Sequence, residues 1–148
     1  MEKLLIKGGN VLDGEISCSG AKNAALPMIA ATILNNEKVI FKNLPYLQDI
    51  TTMFELLGSM GADISLDESM DFSIASNLLN DLEARYELVK TMRASILVLG
   101  PMVAKYGYAK IALPGGCAIG SRPVNFHLDA LRDLGATISL KNGYIEAK

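Results

Sequence analysis

The chain has 148 residues, 50% of them apolar, with 14 lysines and arginines against 16 acids and a formal charge of -2 at pH 7. That is enough for one domain with a real core, and it argues against a disordered chain and against a basic nucleic-acid-binding surface. The two cysteines, Cys18 and Cys117, fall far apart and form neither a metal-ligand pattern nor a redox CxxC, so free thiols in a cytosolic chain are expected.

The opening "MEKLLIKGG" has too short an apolar run for a signal peptide. The longest apolar runs, near Ala24–Leu34 and Ala94–Ala104, are about half the length of a membrane span. The expectation is a soluble cytoplasmic protein with no membrane or nucleic-acid partner.

In chain order, "GEISCSG" reads as a strand with Cys18 in the core. "SGAKNAALP" opens an apolar helix, with Asn23 a plausible N-cap and Pro27 tolerable only early in the helix. Lys22 stands at that N-terminus, where free backbone amides and the helix dipole favour an anion. The alternative is an exposed lysine beside an ordinary cap. A strand follows, then an amphipathic helix ending at Gly61, then strands "ADISL" and "DFSIA". "NLLNDLEARYE", Asn77–Glu87, is the most polar connection and reads as a solvated face.

Arg93, in "KTMRAS", opens a second apolar helix. Arginine suits bidentate binding of phosphate or carboxylate; a helix-end arginine reaching for water is the alternative. After another strand comes "LPGGCAIGSRP", Leu113–Pro123. No G-K-[ST] follows and the glycine spacing does not fit a dinucleotide fingerprint. Gly115, Gly116 and Gly120 predict a loop, and Arg122 is a cation that could lower the Cys117 thiol pKa. Such a thiol could act as a general acid or as a nucleophile; a small hydrophobe filling a turn is the alternative. Pro123 sits where a first helical residue would be. The second amphipathic helix carries His127, the only histidine, on its apolar side, where a partly buried residue is expected. No triad or zinc set assembles around it. The helix ends at Gly135, and strands "ATISL" and "YIEA" follow.

These elements repeat. "LGSMGADISL" (Leu57–Leu66) matches "LRDLGATISL" (Leu131–Leu140) at an offset of 74 positions. Upstream the offset shrinks to about 71, which places Lys22 on Arg93. The chain therefore holds two copies of a helix–strand–helix–strand–strand unit of roughly seventy residues. The second helix of each unit is amphipathic and should lie on a surface. The first is apolar nearly all round and should be wholly buried, as in an interior helical layer with sheets outside it. Closing such a layer needs more than two units.

"SGAKNAALP", "LVKTMRAS", "LPGGCAIGSRPV" and the "LGA" before a strand resemble the UDP-N-acetylglucosamine 1-carboxyvinyltransferase family, in order and across the whole chain. The resemblance covers the N-terminal third or so of the family's usual chain. It implies an α/β fold, the inside-out α/β barrel of enolpyruvyl transferases, with three units per barrel. Residues 1–20 would then be strands of the other barrel. Residues 21–148 would be two units of the first barrel, with the third unit, the second barrel and the C-terminal part of the chain missing.

The implied reaction moves the enolpyruvyl group of phosphoenolpyruvate onto the 3-hydroxyl of UDP-N-acetylglucosamine and releases phosphate, opening peptidoglycan synthesis. By the same resemblance Lys22 contacts phosphoenolpyruvate, Asn23 the sugar nucleotide, and Arg93 is a cation in the cleft. Cys117 is the proton donor, can carry a phosphoenolpyruvate adduct, and is alkylated by fosfomycin. Arg122 contacts phosphate or nucleotide, and Pro123, Val124, Asn125 and Phe126 line the uridine site. Asn125 stands where the family usually has aspartate, and Phe126 often replaces leucine. The family's hydroxyl-activating aspartate and further arginines have no counterpart in these residues. No metal or redox cofactor is implied. Two alternatives stand beside this reading: a non-catalytic fragment or substrate-binding module, and the sister enzyme acting on shikimate-3-phosphate.

Overall fold

The computed structural model describes residues 3–113 and 124–148. The first copy of the repeat comprises α1 (Lys22–Ala31), extended by a 3₁₀ turn (Thr32–Leu34), β1 (Val39–Phe41), α2 (Gln48–Ser59), β2 (Asp63–Leu66) and β3 (Phe72–Ala75). A connection with β4 (Glu83–Ala84) and the one-turn α3 (Tyr86–Val89) leads to the second copy. That copy comprises a 3₁₀ stretch (Arg93–Val98) running into α4 (Leu99–Tyr106), β5 (Ala109–Ala112), α5 (Asn125–Asp133), β6 (Ile138–Lys141) and β7 (Tyr144–Ala147). The expected unit is thus present twice and in order.

The duplication extends to strand pairing. In the first sheet β3 lies between β1 and β2; in the second β7 lies between β5 and β6, and all four pairings are antiparallel. Apolar residues meet across the strands, with Ile64 opposite Ile74 and Ile111 opposite Ile145. Ile74, Ile111 and Ile145 are fully buried. Cross-strand apolar pairs of this kind hold a register, because a one-residue slip would turn them all to water.

Both glycines expected after the amphipathic helices end them in the same way. Gly61 has φ +105° and Gly135 φ +99°. The next amide reaches back past the turn, Ala62 N to Leu57 O at 3.0 Å and Ala136 N to Leu131 O at 2.9 Å. This Schellman closure satisfies a last-turn carbonyl and requires a positive φ.

Four expectations need correction. First, α1 is covered on one side only. Ala25, Leu26, Ile29 and Ala30 are buried, while Met28 and, just beyond, Leu34 are each 52% exposed. The described chain supplies neighbours for one face of this apolar helix and none for the other.

Second, Asn77–Glu87 is not simply a solvated face. Leu79 and Ala84 are buried, β4 pairs in parallel with β5, and the Asn80 and Asp81 amides both donate to the Met60 carbonyl. Third, "GEISCSG" forms no strand here and Cys18 is an exposed free thiol. Residues 3–19 form neither helix nor strand and are exposed, with Leu4, Leu5, Ile6, Val11, Leu12 and Ile16 all at least 78% accessible. The segment meets the body at Gly20, whose amide donates to Asn43 O at 3.1 Å, while Asn43 Nδ2 donates to Cys18 O. A Cβ on Gly20 would collide with that Asn43 carbonyl.

Fourth, His127 is exposed, not partly buried. Its counterpart Met53 is completely buried, because α2 packs on α1, α3 and the Arg93–Val98 stretch. Within α5 only Leu128 is buried. A groove of ≈ 370 Å³ lies between the helices of the second copy, lined by residues that include Leu97, Gly100, Pro101, His127, Ala130 and Leu131. In the first copy the equivalent Leu26, Ile29, Ala30, Met53, Leu56 and Leu57 are each at most 4% exposed. One site in the repeat is closed core and its twin is open surface.

Candidate functional site

Among the described residues, the expected site residues fall at the starts of helical elements. Lys22 is the first residue of α1 and Arg93 the first of the second copy's 3₁₀ stretch. Asn125 is the first residue of α5, with Val124 as its N-cap. The elements headed by Lys22 and Arg93 pack against each other, and α2 packs against both.

Asn23 is not the cap of α1. The N-cap is Ala21, in extended backbone, and no side chain caps the helix among the described residues. The amides of Ala24 and Ala25 bond the Ala21 carbonyl, so the helix begins two residues earlier than an Asn23 cap would require. Asn23 is exposed within the first turn. Pro27 lies inside α1 and has no amide to give the Asn23 carbonyl. The result is a helix N-terminus without a side-chain cap, carrying a half-exposed lysine and an exposed carboxamide, groups suited to holding an anion.

Lys22 Nζ lies 2.7 Å from Asp49 Oδ2, with the two side chains 41% and 34% accessible. Asp49 is the acid in the first turn of α2. Reading the sequence did not single it out. An acid in a first turn is ordinary helix chemistry, and its pairing with Lys22 depends on how α1 and α2 pack.

Val124 is half-buried, whereas Asn125 and Phe126 are exposed, Phe126 at 76%. Phe126 also borders the groove of the second copy. Cys117, Arg122 and Pro123 lie outside the described residues. The described chain fixes the two ends of their stretch: Leu113, whose amide bonds Gly143 O at 2.8 Å, and Val124 at the head of α5.

Elsewhere, Lys110 on β5 bonds Glu83 on β4 at 2.9 Å and lies 4.6 Å from the centre of the Tyr144 ring. The hydrogen bond to Glu83 is the main cause that holds its ammonium above the ordinary lysine pKa. This cluster braces two strands; nothing in it parallels the helix-start cations. Among the described residues no group of His, Cys, Asp and Glu could hold a metal ion, and no helix is long and apolar enough to cross a membrane.

Residues 6–148 match the family model described as EPSP synthase (3-phosphoshikimate 1-carboxyvinyltransferase). The chain is 57% identical over 147 residues to the UDP-N-acetylglucosamine 1-carboxyvinyltransferases of Coxiella burnetii strains Dugway 5J108-111 and RSA 331 / Henzerling II. Those alignments cover 99% of this chain and 34% of each relative. The chain thus spans about a third of the length of the curated relatives it matches.

Among solved structures, the enolpyruvyl transferase NikO from Streptomyces tendae superposes with a TM-score of 0.76 at 24% identity, covering 95% of this chain and 31% of that one. EPSP synthase from Acinetobacter baumannii gives 0.63 at 15% identity, covering 91% and 32%. Both likenesses concern the fold.

Proposed function

Because the chain belongs to the EPSP synthase family of 1-carboxyvinyltransferases, we propose that it supplies part of an active site that transfers the enolpyruvyl group of phosphoenolpyruvate to the 3-hydroxyl of UDP-N-acetylglucosamine, releasing phosphate. The observation that carries this choice of acceptor is the 57% identity, across 99% of the chain, to relatives named for that sugar nucleotide. The place of the reaction would be the cytoplasm, at the start of peptidoglycan synthesis, and fosfomycin would be an inhibitor.

The residue assignments are those that the family resemblance implies, and the chemistry suits them. Phosphoenolpyruvate carries a phosphate and a carboxylate, so its site needs several cations; Lys22, Arg93 and Arg122 fill that role. Asn23 contacts the sugar nucleotide, and Pro123, Val124, Asn125 and Phe126 border its uridine. Cys117 donates the proton to the methylene carbon of phosphoenolpyruvate. The oxocarbenium-like centre so formed is attacked by the sugar hydroxyl, and fixed cations and amides stabilise the charge. The helix-start placement of Lys22 and Arg93 supports these roles. No metal or redox cofactor enters this scheme.

In this reading the open groove beside α5 receives a third copy of the unit, as the second copy covers α2. Residues 1–20, which include a row of exposed apolar side chains between Leu4 and Ile16, belong to a second barrel. A second reading rests on length. Spanning about a third of its relatives, the 148-residue species taken alone would bind substrate weakly and turn nothing over.

Calorimetric titration of UDP-N-acetylglucosamine and of shikimate-3-phosphate into the protein expressed from its whole reading frame tests the acceptor. Binding of the sugar nucleotide alone is expected. Binding of shikimate-3-phosphate alone would transfer the assignment to the sister reaction.

A further inference from the structure

We infer that Asp49 is a positioning residue for Lys22, holding its ammonium in the orientation that acts on phosphoenolpyruvate. This rests on the role proposed for Lys22. The geometry is direct: Lys22 Nζ is 2.7 Å from Asp49 Oδ2, and the pair links the first turn of α1 to the first turn of α2. An ammonium has three donors, so pairing with one carboxylate leaves donors for the oxygens of an anion. Lysine's flexible stem otherwise spreads the charge over many rotamers.

The two copies of the repeat differ at this pair. Lys22 registers with Arg93, a cation at the same place in the second copy. Asp49 registers with Pro123, so the second copy keeps the cation and has no carboxylate at that position. Among the described residues Arg93 makes no ion pair. In the second copy an open groove lies between the corresponding helices, so it is the small stability contribution of a half-exposed pair that separates positioning from docking. Arginine's planar fork is already organised for a phosphate or carboxylate, whereas lysine needs its direction set from outside. The carboxylate accompanies the residue that needs it.

The test is steady-state kinetics of Asp49→Asn and Asp49→Glu in the protein expressed from its whole reading frame, with phosphoenolpyruvate varied. Losing orientation lowers the rate of the bound complex. Removing a negative charge beside the anion site offsets any loss of anion binding. D49N should therefore lower kcat on the order of ten-fold or more, with KM for phosphoenolpyruvate raised less than about three-fold. D49E, which keeps a carboxylate in reach, should recover part of that loss. A half-exposed pair contributes little to stability, so both variants should melt close to wild type. Wild-type turnover with an unchanged D49N kcat would overturn the proposal and leave the enolpyruvyl-transfer reading standing. An equal loss of kcat in D49N and D49E would overturn it too. A wild-type protein with no turnover would overturn the transfer reading itself. Should D49N fail to fold, the D49E kcat alone decides: retention of a third or more supports positioning, and loss of kcat in a normally melting D49E contradicts it.

Discussion

Lys22 and Asp49 close a 2.7 Å ion pair between the first turns of α1 and α2, and Asp49 has no acidic counterpart in the second copy of the repeat, where Pro123 holds its place. Half-exposed pairs of this kind add between about 0 and 1 kcal/mol to stability and weaken with salt. Asp49→Asn should therefore move the urea midpoint only slightly, by the equivalent of less than about 1 kcal/mol, and less still at 1 M salt. A larger loss would mean that the pair is part of the packing between α1 and α2.

The two helix-ending glycines make a matched pair with unequal surroundings. Both have φ near +100°, so alanine at either carries a backbone penalty of about 1–2 kcal/mol. A Cβ at Gly135 meets nothing within 4 Å, whereas at Gly61 it would lie 2.7 Å from Asn80 Oδ1 and 3.1 Å from the Asn80 amide. Gly61→Ala should be the more destabilising by about 1 kcal/mol or more, in denaturant unfolding of the two variants. Equal losses would show that Asn80 moves aside freely.

Lys110 supplies a pH signature. Its hydrogen bond to Glu83 raises its pKa in the folded state. A raised folded pKa means that this stabilisation is fully present below the unfolded lysine value, and that it is lost as pH rises through the folded one. The stability difference between wild type and Glu83→Gln should be level from neutral pH to about pH 9, and should shrink above about pH 10. A difference that grows with alkalinity would contradict the assignment.

The extent to which the sequence reveals this molecule follows the range of each signal. Helix-ending glycines and alternating apolar runs are local, so the order of elements and the repeat are legible without coordinates. β4 is two residues long and exists because Glu83 and Ala84 find Lys110 and Ile111, a contact that polar "NLLNDLEARYE" does not advertise. Asn23 belongs to a favoured capping type, yet Ala21 begins α1. The exposure of His127 depends on which neighbours cover α5, which periodicity within the helix cannot report. Asp49 escaped notice for the same reason: the packing of α1 on α2, and not a motif, gives it Lys22 for a partner.

Cys117 carries the proposed acid chemistry. Positioned general acids contribute about 10²–10⁴-fold, so Cys117→Ala should lower kcat by that order. Cys117→Asp should retain activity, since a carboxyl group can donate a proton, and should escape fosfomycin, since it alkylates poorly. Rate assays with and without the drug check both. An alanine variant with full activity and full drug sensitivity would remove Cys117 from the mechanism.

The most direct measurement is product formation. The protein expressed from its whole reading frame is incubated with phosphoenolpyruvate and either UDP-N-acetylglucosamine or shikimate-3-phosphate, and products are identified by mass spectrometry with phosphate release followed in parallel. The expected result is a 1-carboxyvinyl ether of UDP-N-acetylglucosamine, formed with one phosphate per product and absent with shikimate-3-phosphate. Enolpyruvyl transfer to shikimate-3-phosphate alone, or to neither acceptor, would contradict the proposed function.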